Sequence, residues 1–177
     1  MYKEDFITPY FFIASPGTTE SYLNYFGKPV SYLLKSNSPY EDNNPYFNIY
    51  THIKKEDFVK TLKDAYPDII IDKTTLKKNI KILSYTSASQ VDEIQIGNKI
   101  LDGKVLYEKF KIPSIWIKDI KFKGEDIIFI TDGMGRGIGL SLYGADGFSK
   151  NSLDYKIILR KYYQGVIITN IFKENSS

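Results

Sequence analysis

The sequence predicts an α+β fold, rich in β-structure, with a few short helices set apart from the strands. Three observations carry that reading. The 177 residues include 15 Tyr, 11 Phe and one Trp, a load that suits half-buried pleated surfaces. Apolar residues recur at helical spacing most clearly in two segments, 55–66 and 152–163. Between them lie short apolar runs bounded by Gly, Pro, Asn and Asp, the punctuation of strands and turns. A chain of 20.4 kDa is expected to form one domain over 1–177. At that length it can bury roughly 70% of its unfolded surface and needs no covalent staple.

Taken in order, Thr8 to Ala14 is aromatic and apolar and ends in the breaker Ser15-Pro16-Gly17, so it reads as a strand entering a loop. Tyr32-Leu33-Leu34 is a short apolar run, and Ser38 to Pro45 is loop by composition. Phe47 to Thr51 reads as a strand. In Lys55 to Tyr66, Phe58, Leu62 and Tyr66 fall at i, i+4 and i+8, with Glu56 and Asp57 in the first turn and Pro67 as the stop. Ile69 to Ile71 is expected to be a buried strand. Residues 79–101 read as a hairpin with a two-residue turn at Gly97-Asn98. Lys104 to Phe110 forms a short helix or turn. Ile115 to Ile117 and Ile127 to Ile130 read as two more strands. Finally, Ser152 to Tyr163 has Ser152 as its expected cap, Leu153, Ile157, Ile158 and Tyr162 as its apolar stripe, and Arg160 and Lys161 near its negative end.

Composition removes most familiar chemistries. With no Cys there is no disulfide framework, thiolate metal site or Cys nucleophile. One histidine, His52, cannot build a zinc site of two or three imidazoles, and it reads as an ordinary, partly exposed residue. The net charge of +3 arises from scattered lysines, and the densest run, Lys73 to Lys81, reads as a solvated face. Nucleic acid is therefore not expected as a partner. No stretch of 18 apolar residues spans a membrane, and Met1 to Phe6 lacks the pattern of a signal peptide. No cofactor and no metal are expected, and the cellular location is left open.

The last third is different in kind. From Asp132 to Gly139, glycine occupies every second position after the aspartate. Such a loop lets backbone approach a ligand, and the same glycines also suit a tight crossing of strand and helix. A phosphate-binding loop would end in Gly-Lys-Ser/Thr, whereas Gly139 is followed by Leu140-Ser141. A dinucleotide loop would need a glycine where Ile138 or Leu140 stands.

Gly135 to Ala145 resembles the C-terminal signature of the stage II sporulation protein D family, which includes amidase enhancers. The family pattern is Gly-His-Gly-Val-Gly-Met-Ser-Gln-Tyr-Gly-Ala. Tyr155, Ile158, Leu159, Tyr162, Tyr163 and Gly165 are similar in spacing to the Tyr-x-x-Ile-Leu-x-x-Tyr-Tyr-x-Gly that follows it. Earlier landmarks agree in order. Phe11, Ser15, Gly17, Thr19 and Glu20 resemble Phe-His-x-x-Ser-Gly-Gly-x-Thr-Glu, and Tyr32 to Glu41 resembles Tyr-Leu-x-x-Val-x-Ser-Pro. Gly103, Leu106, Phe110, Ile112 and Ser114 resemble a Gly-x-x-Leu-Arg-x-x-Leu-x-Leu-x-Ser segment.

Enzymes of this family are lytic transglycosylases that cut peptidoglycan glycan strands through one glutamic acid, which acts first as acid and then as base. The resemblance implies that this glutamate sits on a helix ahead of the Phe11 landmark. The residues here ahead of it offer only Glu4, with Asp5 beside it, so no catalytic residue is assigned. Phe12 stands for one family histidine, Arg136 for another, Leu142 for a glutamine and Pro16 for a glycine, so the cleft has lost polar groups. The His and Cys residues thought to bind zinc in some members are not in place. The implied function is that of a truncated or degenerate member that binds glycan strands. Ser15, Gly17, Thr19, Glu20, Arg136, Gly137, Gly139, Ser141 and Tyr143 are its expected substrate-binding residues. Implied partners are peptidoglycan, other cell-wall hydrolases and a separately encoded N-terminal half. Two alternatives stand beside this reading. One is a non-catalytic interaction module of a cell-envelope or sporulation complex, and the other is an unrelated β-rich binding domain.

Residue by residue, Arg136 reads either as an anchor for a carboxylate or as an exposed loop arginine. Glu20 reads either as an acid or as a carboxylate capping local backbone, with Thr18 and Thr19 beside it favouring the cap. Ser15 and Ser141 have no base nearby in sequence to make them nucleophiles. Tyr162 and Tyr163 could stack on sugars, although helical spacing makes Tyr162 a core residue.

Overall fold

A computed structural model of the chain describes residues 1–170. It is α+β, with 14 short elements. A three-stranded antiparallel sheet is built from β2 (Ile49–Lys54), β6 (Ile117–Lys123) and β7 (Asp126–Thr131), in the order β2-β7-β6. As the central strand, β7 is buried along five successive residues, which is why Ile127 to Ile130 lacks alternation. Its partner β2 alternates strictly, with one face turned to water. A register shift between Ile117 and Asp119 bulges β6 where it approaches the glycine loop.

A second antiparallel sheet, β3 (Ile80–Ile82), β4 (Glu93–Ile96) and β5 (Lys99–Asp102), contains the expected turn at Gly97-Asn98. Ile69 and Ile71 are buried as expected, but they make no strand. The Ile70 amide is taken by the Asn98 side chain at 2.7 Å, so this segment is held by the turn instead of by a ladder. The third pairing is only two residues long: β1 (Phe11–Phe12) lies parallel to β8 (Leu140–Ser141). The predicted strand 8–14 therefore shrinks to this contact, because Pro9 cannot donate to a ladder and Ile13 and Ala14 bond instead to Met134.

Helix α2 (Lys55–Ala65) matches the sequence reading. Its buried Phe58 lies stacked on Phe110 of α4 (Lys104–Phe110), with centroids 4.5 Å apart, and Leu62 follows one turn later. Helix α6 (Tyr155–Tyr162) starts later than predicted. Asp154 caps it, accepting from the Lys156 and Ile157 amides at 2.7 and 3.0 Å. Ser152 and Leu153 are committed elsewhere, closing the preceding helix through bonds to the Ser149 and Phe148 carbonyls. Three helices are additions to the sequence reading: α1 (Tyr22–Phe26), α3 (Leu76–Asn79) and α5 (Leu142–Lys150). One apolar cluster joins α2, α4, α6, the two three-stranded sheets and the glycine loop through Leu62, Ile94, Leu106, Phe129, Ile138 and Tyr162. No described helix is long and apolar enough to cross a membrane.

Candidate binding groove at the glycine loop

The loop from Asp132 to Gly139 leaves β7 and enters β8 and α5. Its backbone is pinned on both sides. Gly133 N–H donates to the Tyr46 carbonyl at 2.6 Å, Met134 N–H to Ala14 at 2.8 Å and Gly135 N–H to Pro113 at 2.8 Å. The Gly137 carbonyl accepts from the Glu20 amide, and the Arg136 carbonyl from Gln90 Nε2 at 3.0 Å. These amides serve the chain's own carbonyls, so the loop does not present them as a phosphate cradle. At Gly139, φ is +80°, and a Cβ would collide with the Tyr10 carbonyl. Only glycine permits that approach. Trp116 packs under Gly133 and Gly137 and donates its indole N–H to the Ala88 carbonyl at 2.7 Å.

Arg136 is the exposed residue on this rigid track. It borders two adjoining cavities. One, of about 500 Å³, is lined by Ile13, Tyr107, Glu108, Lys111, Met134 and Arg136. The other, of about 290 Å³, is lined by Tyr10, Phe11, Phe12, Tyr107, Arg136 and Ile138. The two share Ile13, Tyr107, Gly135 and Arg136, so they form one groove with a charged end and an aromatic end. Phe11 is 68% exposed on the aromatic end. Among the described residues no carboxylate lies within 4 Å of the Arg136 guanidinium. That guanidinium acts on Tyr25, whose hydroxyl is pushed up to about 12 by burial, with Arg136 pulling in the opposite direction. Among the described residues the buried Tyr25 oxygen meets no hydrogen-bond partner of ordinary geometry.

Most of the remaining expected site residues fall into the interior. Ser15, Thr19 and Ser141 are fully buried, and Glu20 is 1% exposed. Glu20 accepts from the Ser21 amide at 2.7 Å, from Asn24 Nδ2 at 2.9 Å and from the Thr86 hydroxyl, so it caps its own turn and ties it to a second loop. Thr19 Oγ1 accepts from the Ser36 amide at 2.9 Å. Gly17 is half-buried, and its carbonyl accepts from Ser38 N–H. Tyr143 is half-buried, edge-on to Tyr46. Tyr162 and Tyr163 are both core residues. His52 is exposed and pairs with Asp126 at 3.5 Å across the β2–β7 ladder.

Sequence reasoning missed a buried carboxylate hub. Glu41 Oε1 accepts from the hydroxyls of Ser15 at 2.7 Å, Ser38 at 2.8 Å and Ser141 at 2.6 Å, while Oε2 receives the Ser15 amide at 3.3 Å. Ser38 is in turn 2.6 Å from the Tyr162 hydroxyl. Four distant segments are thereby held together around one charge. The Ser38-Pro39-Tyr40-Glu41 landmark was the only hint in the sequence. Glu108 and Lys111 were also missed, since nothing local places the end of α4 against the glycine loop. No three His, Asp or Glu side chains among the described residues are grouped to hold a metal ion.

No family model matches the chain. Curated relatives do. The stage II sporulation protein D of Bacillus subtilis is 29% identical over 170 residues, covering 95% of this chain and 47% of the relative. The protein of the same name from Bacillus amyloliquefaciens is 28% identical, covering 95% and 46%. The chain is similar to stage II sporulation protein D along nearly its whole length. It spans about half the length of the curated relatives it matches. An uncharacterized protein of Brachyspira hyodysenteriae is similar too, at 28% identity over 99% of this chain. Four of the five landmarks that resemble the sporulation protein D family converge in three dimensions. Ser15 of the first, Ser38 and Glu41 of the second, Ser141 of the glycine signature and Tyr162 of the last helix all meet in the hub.

Proposed function

We propose that this chain is a sporulation-linked cell-wall protein that binds peptidoglycan glycan strands in the groove beside the glycine loop. The observation that carries this reading is the groove itself, where, among the described residues, Arg136 stands without an ionic partner between an aromatic end and a charged end. Tyr10, Phe11 and Tyr107 offer apolar faces for sugar rings. A rigid loop supplies the guanidinium at little cost in ordering.

Catalysis is not proposed for these residues. Proton transfer needs a carboxyl that is poised and accessible. Glu20 and Glu41, which bond to the glycine signature, are both buried and occupied by donors of their own chain, and Glu108, the carboxylate that lines the groove, is exposed at the end of α4 with no hydrogen-bond partner among the described residues to position it. The test is sedimentation with purified sacculi, with mass spectrometry of the supernatant. The expected result is pelleting at low salt, weakened several-fold by Arg136→Ala, with no anhydro-sugar fragments. Protein remaining in the supernatant would end the glycan reading, and anhydro fragments would assign a catalytic carboxylate within this chain.

A second reading, an interaction module of a cell-envelope complex, is favoured by a different face. An apolar cavity of about 220 Å³ lies between residues 1–9 and 159–169, and Phe6 and Ile167 on its rim are largely exposed. Co-expression with candidate envelope proteins tests it. A partner whose capture survives Phe6→Ser does not use that face.

A further inference from the structure

The interior side of Arg136 carries a sharper conclusion, which rests on the glycan-strand reading of the same groove. Tyr25 of α1 is 5% exposed, and its ring and backbone are clamped. Phe26 meets the ring edge-on at 4.9 Å, and the Lys104 ammonium lies 5.2 Å from the ring centroid while donating to the Tyr25 carbonyl at 2.6 Å. At the end of this fixed ring is a hydroxyl that, among the described residues, has no hydrogen bond of ordinary geometry. A buried polar atom in that state lowers stability, and phenylalanine would fill the same space without it. Packing alone therefore does not account for a tyrosine here.

The hydroxyl faces the glycine loop. Arg136 is the cation that acts on it, with Glu108 and Tyr107 of the groove wall beside them. The two backbones are locked in register. The Glu20 amide, just ahead of α1, donates to the Gly137 carbonyl at 2.8 Å, and Gln90 Nε2 holds the Arg136 carbonyl at 3.0 Å. Glu20, Tyr25 and Gln90 also line one small cavity, so ring and loop belong to a single packed unit. The Arg136 side chain is different: it is long and exposed, and ordering its rotamers opposes binding. We infer that Tyr25 is a positioning residue, whose buried hydroxyl accepts a guanidinium N–H and fixes the direction in which Arg136 reaches into the groove. A rotation of the Arg136 side chain closes the contact to an ordinary hydrogen bond. A neutral acceptor suits this task, because it orients the guanidinium without cancelling its charge as a carboxylate would. Being buried, Tyr25 acts only through Arg136.

The experiment uses the whole chain as wild type, Tyr25→Phe, Arg136→Ala and the double variant. Pelleting with increasing amounts of purified sacculi gives an apparent affinity, and urea denaturation gives a midpoint. Nuclear magnetic resonance reads the carbon that bears the Tyr25 hydroxyl, assigned by its loss in Tyr25→Phe. That variant is expected to weaken pelleting about three- to tenfold, as loss of one hydrogen bond to a charged group does once water replaces it. Its urea midpoint should equal or exceed that of the wild type, a separation that a merely structural tyrosine would not produce. In the Arg136→Ala background the same change should cost no further affinity. The Tyr25 carbon resonance should move in Arg136→Ala. Unchanged affinity in Tyr25→Phe, an equal loss with and without Arg136, or a loss accompanied by a lower urea midpoint overturns the inference and leaves the glycan reading standing. A resonance unmoved by Arg136→Ala overturns it as well. Wild-type protein that stays in the supernatant overturns the glycan reading, and the resonance then decides by itself whether Tyr25 holds Arg136.

Discussion

Replacing Glu41 by alanine should cost this protein a large share of its stability. The side chain is 4% exposed and accepts three hydroxyl hydrogen bonds of 2.6–2.8 Å and a longer one from the Ser15 amide. A hydrogen bond to a charged acceptor contributes about 1.5–3 kcal/mol. The serines keep part of their bonding after the change: Ser38 retains Tyr162, and Ser15 and Ser141 still accept from the Gly17 and Gly144 amides. The lower end of the range therefore applies, and the loss should be about 3–5 kcal/mol. Against a total of about 5–15 kcal/mol, that lowers Tm by roughly 10 °C in a chain of this size. Urea denaturation followed by fluorescence of Trp116, the chain's single and buried tryptophan, measures it directly. Glu41→Gln keeps one acceptor oxygen and should lose about half as much. Ser141→Ala should cost about 1 kcal/mol alone but much less when added to Glu41→Ala, because the acceptor is already gone. A loss below about 1 kcal/mol for Glu41→Ala would refute the hub as a structural keystone.

Two further outcomes follow from the same packing. Gly144→Ala should gain up to about 1 kcal/mol from helix propensity. Its Cβ, however, would fall inside the van der Waals reach of Ser38 Oγ and the Tyr162 hydroxyl and 2.9 Å from Glu41 Oε1, so a net loss of about 2 kcal/mol or more is expected in the same urea assay. Stability should also fall as pH rises above about 10. Burial pushes the hydroxyls of Tyr25 and Tyr163 up to about 12 and raises that of Tyr162 as well. The unfolded chain ionises at lower pH than the folded one, so stability complete below the ordinary tyrosine range is lost between about pH 10 and 12. Tyr163→Phe should flatten that slope of urea midpoint against pH, and an unchanged slope would exclude Tyr163 as a contributor.

The segments that were legible in the sequence are those whose partners lie close along the chain. Helix α2 announces itself by Phe58 and Leu62, its acidic first turn and Pro67, and the β4–β5 turn by Gly97-Asn98. Helix α5 was illegible for a specific reason. Its Gly144 and Gly147 weaken the helical pattern, yet they are where the loop at 38–41 comes closest: a Cβ on Gly147 would strike the Tyr40 carbonyl. The features that hid the helix are the ones its packing requires. The cap of α6 was misplaced by two residues because Ser152 and Asp154 are both good caps, and only the closure of α5 uses up the first.

The candidate site divides in the same way. The sequence by itself determined the glycine loop, the arginine upon it, the exclusion of thiolate sites and of zinc sites built on several imidazoles, and the resemblance to sporulation protein D, since these depend on residue identity and local spacing. Tertiary structure alone decided that Ser15, Ser38 and Ser141, up to 126 positions apart, turn inward onto Glu41 instead of outward to a ligand. It also decided that Glu108 and Lys111 face Arg136 across a groove. A polar side chain's role is set by which distant donors and acceptors reach it and by how much water is left around it. Neither quantity is local in sequence.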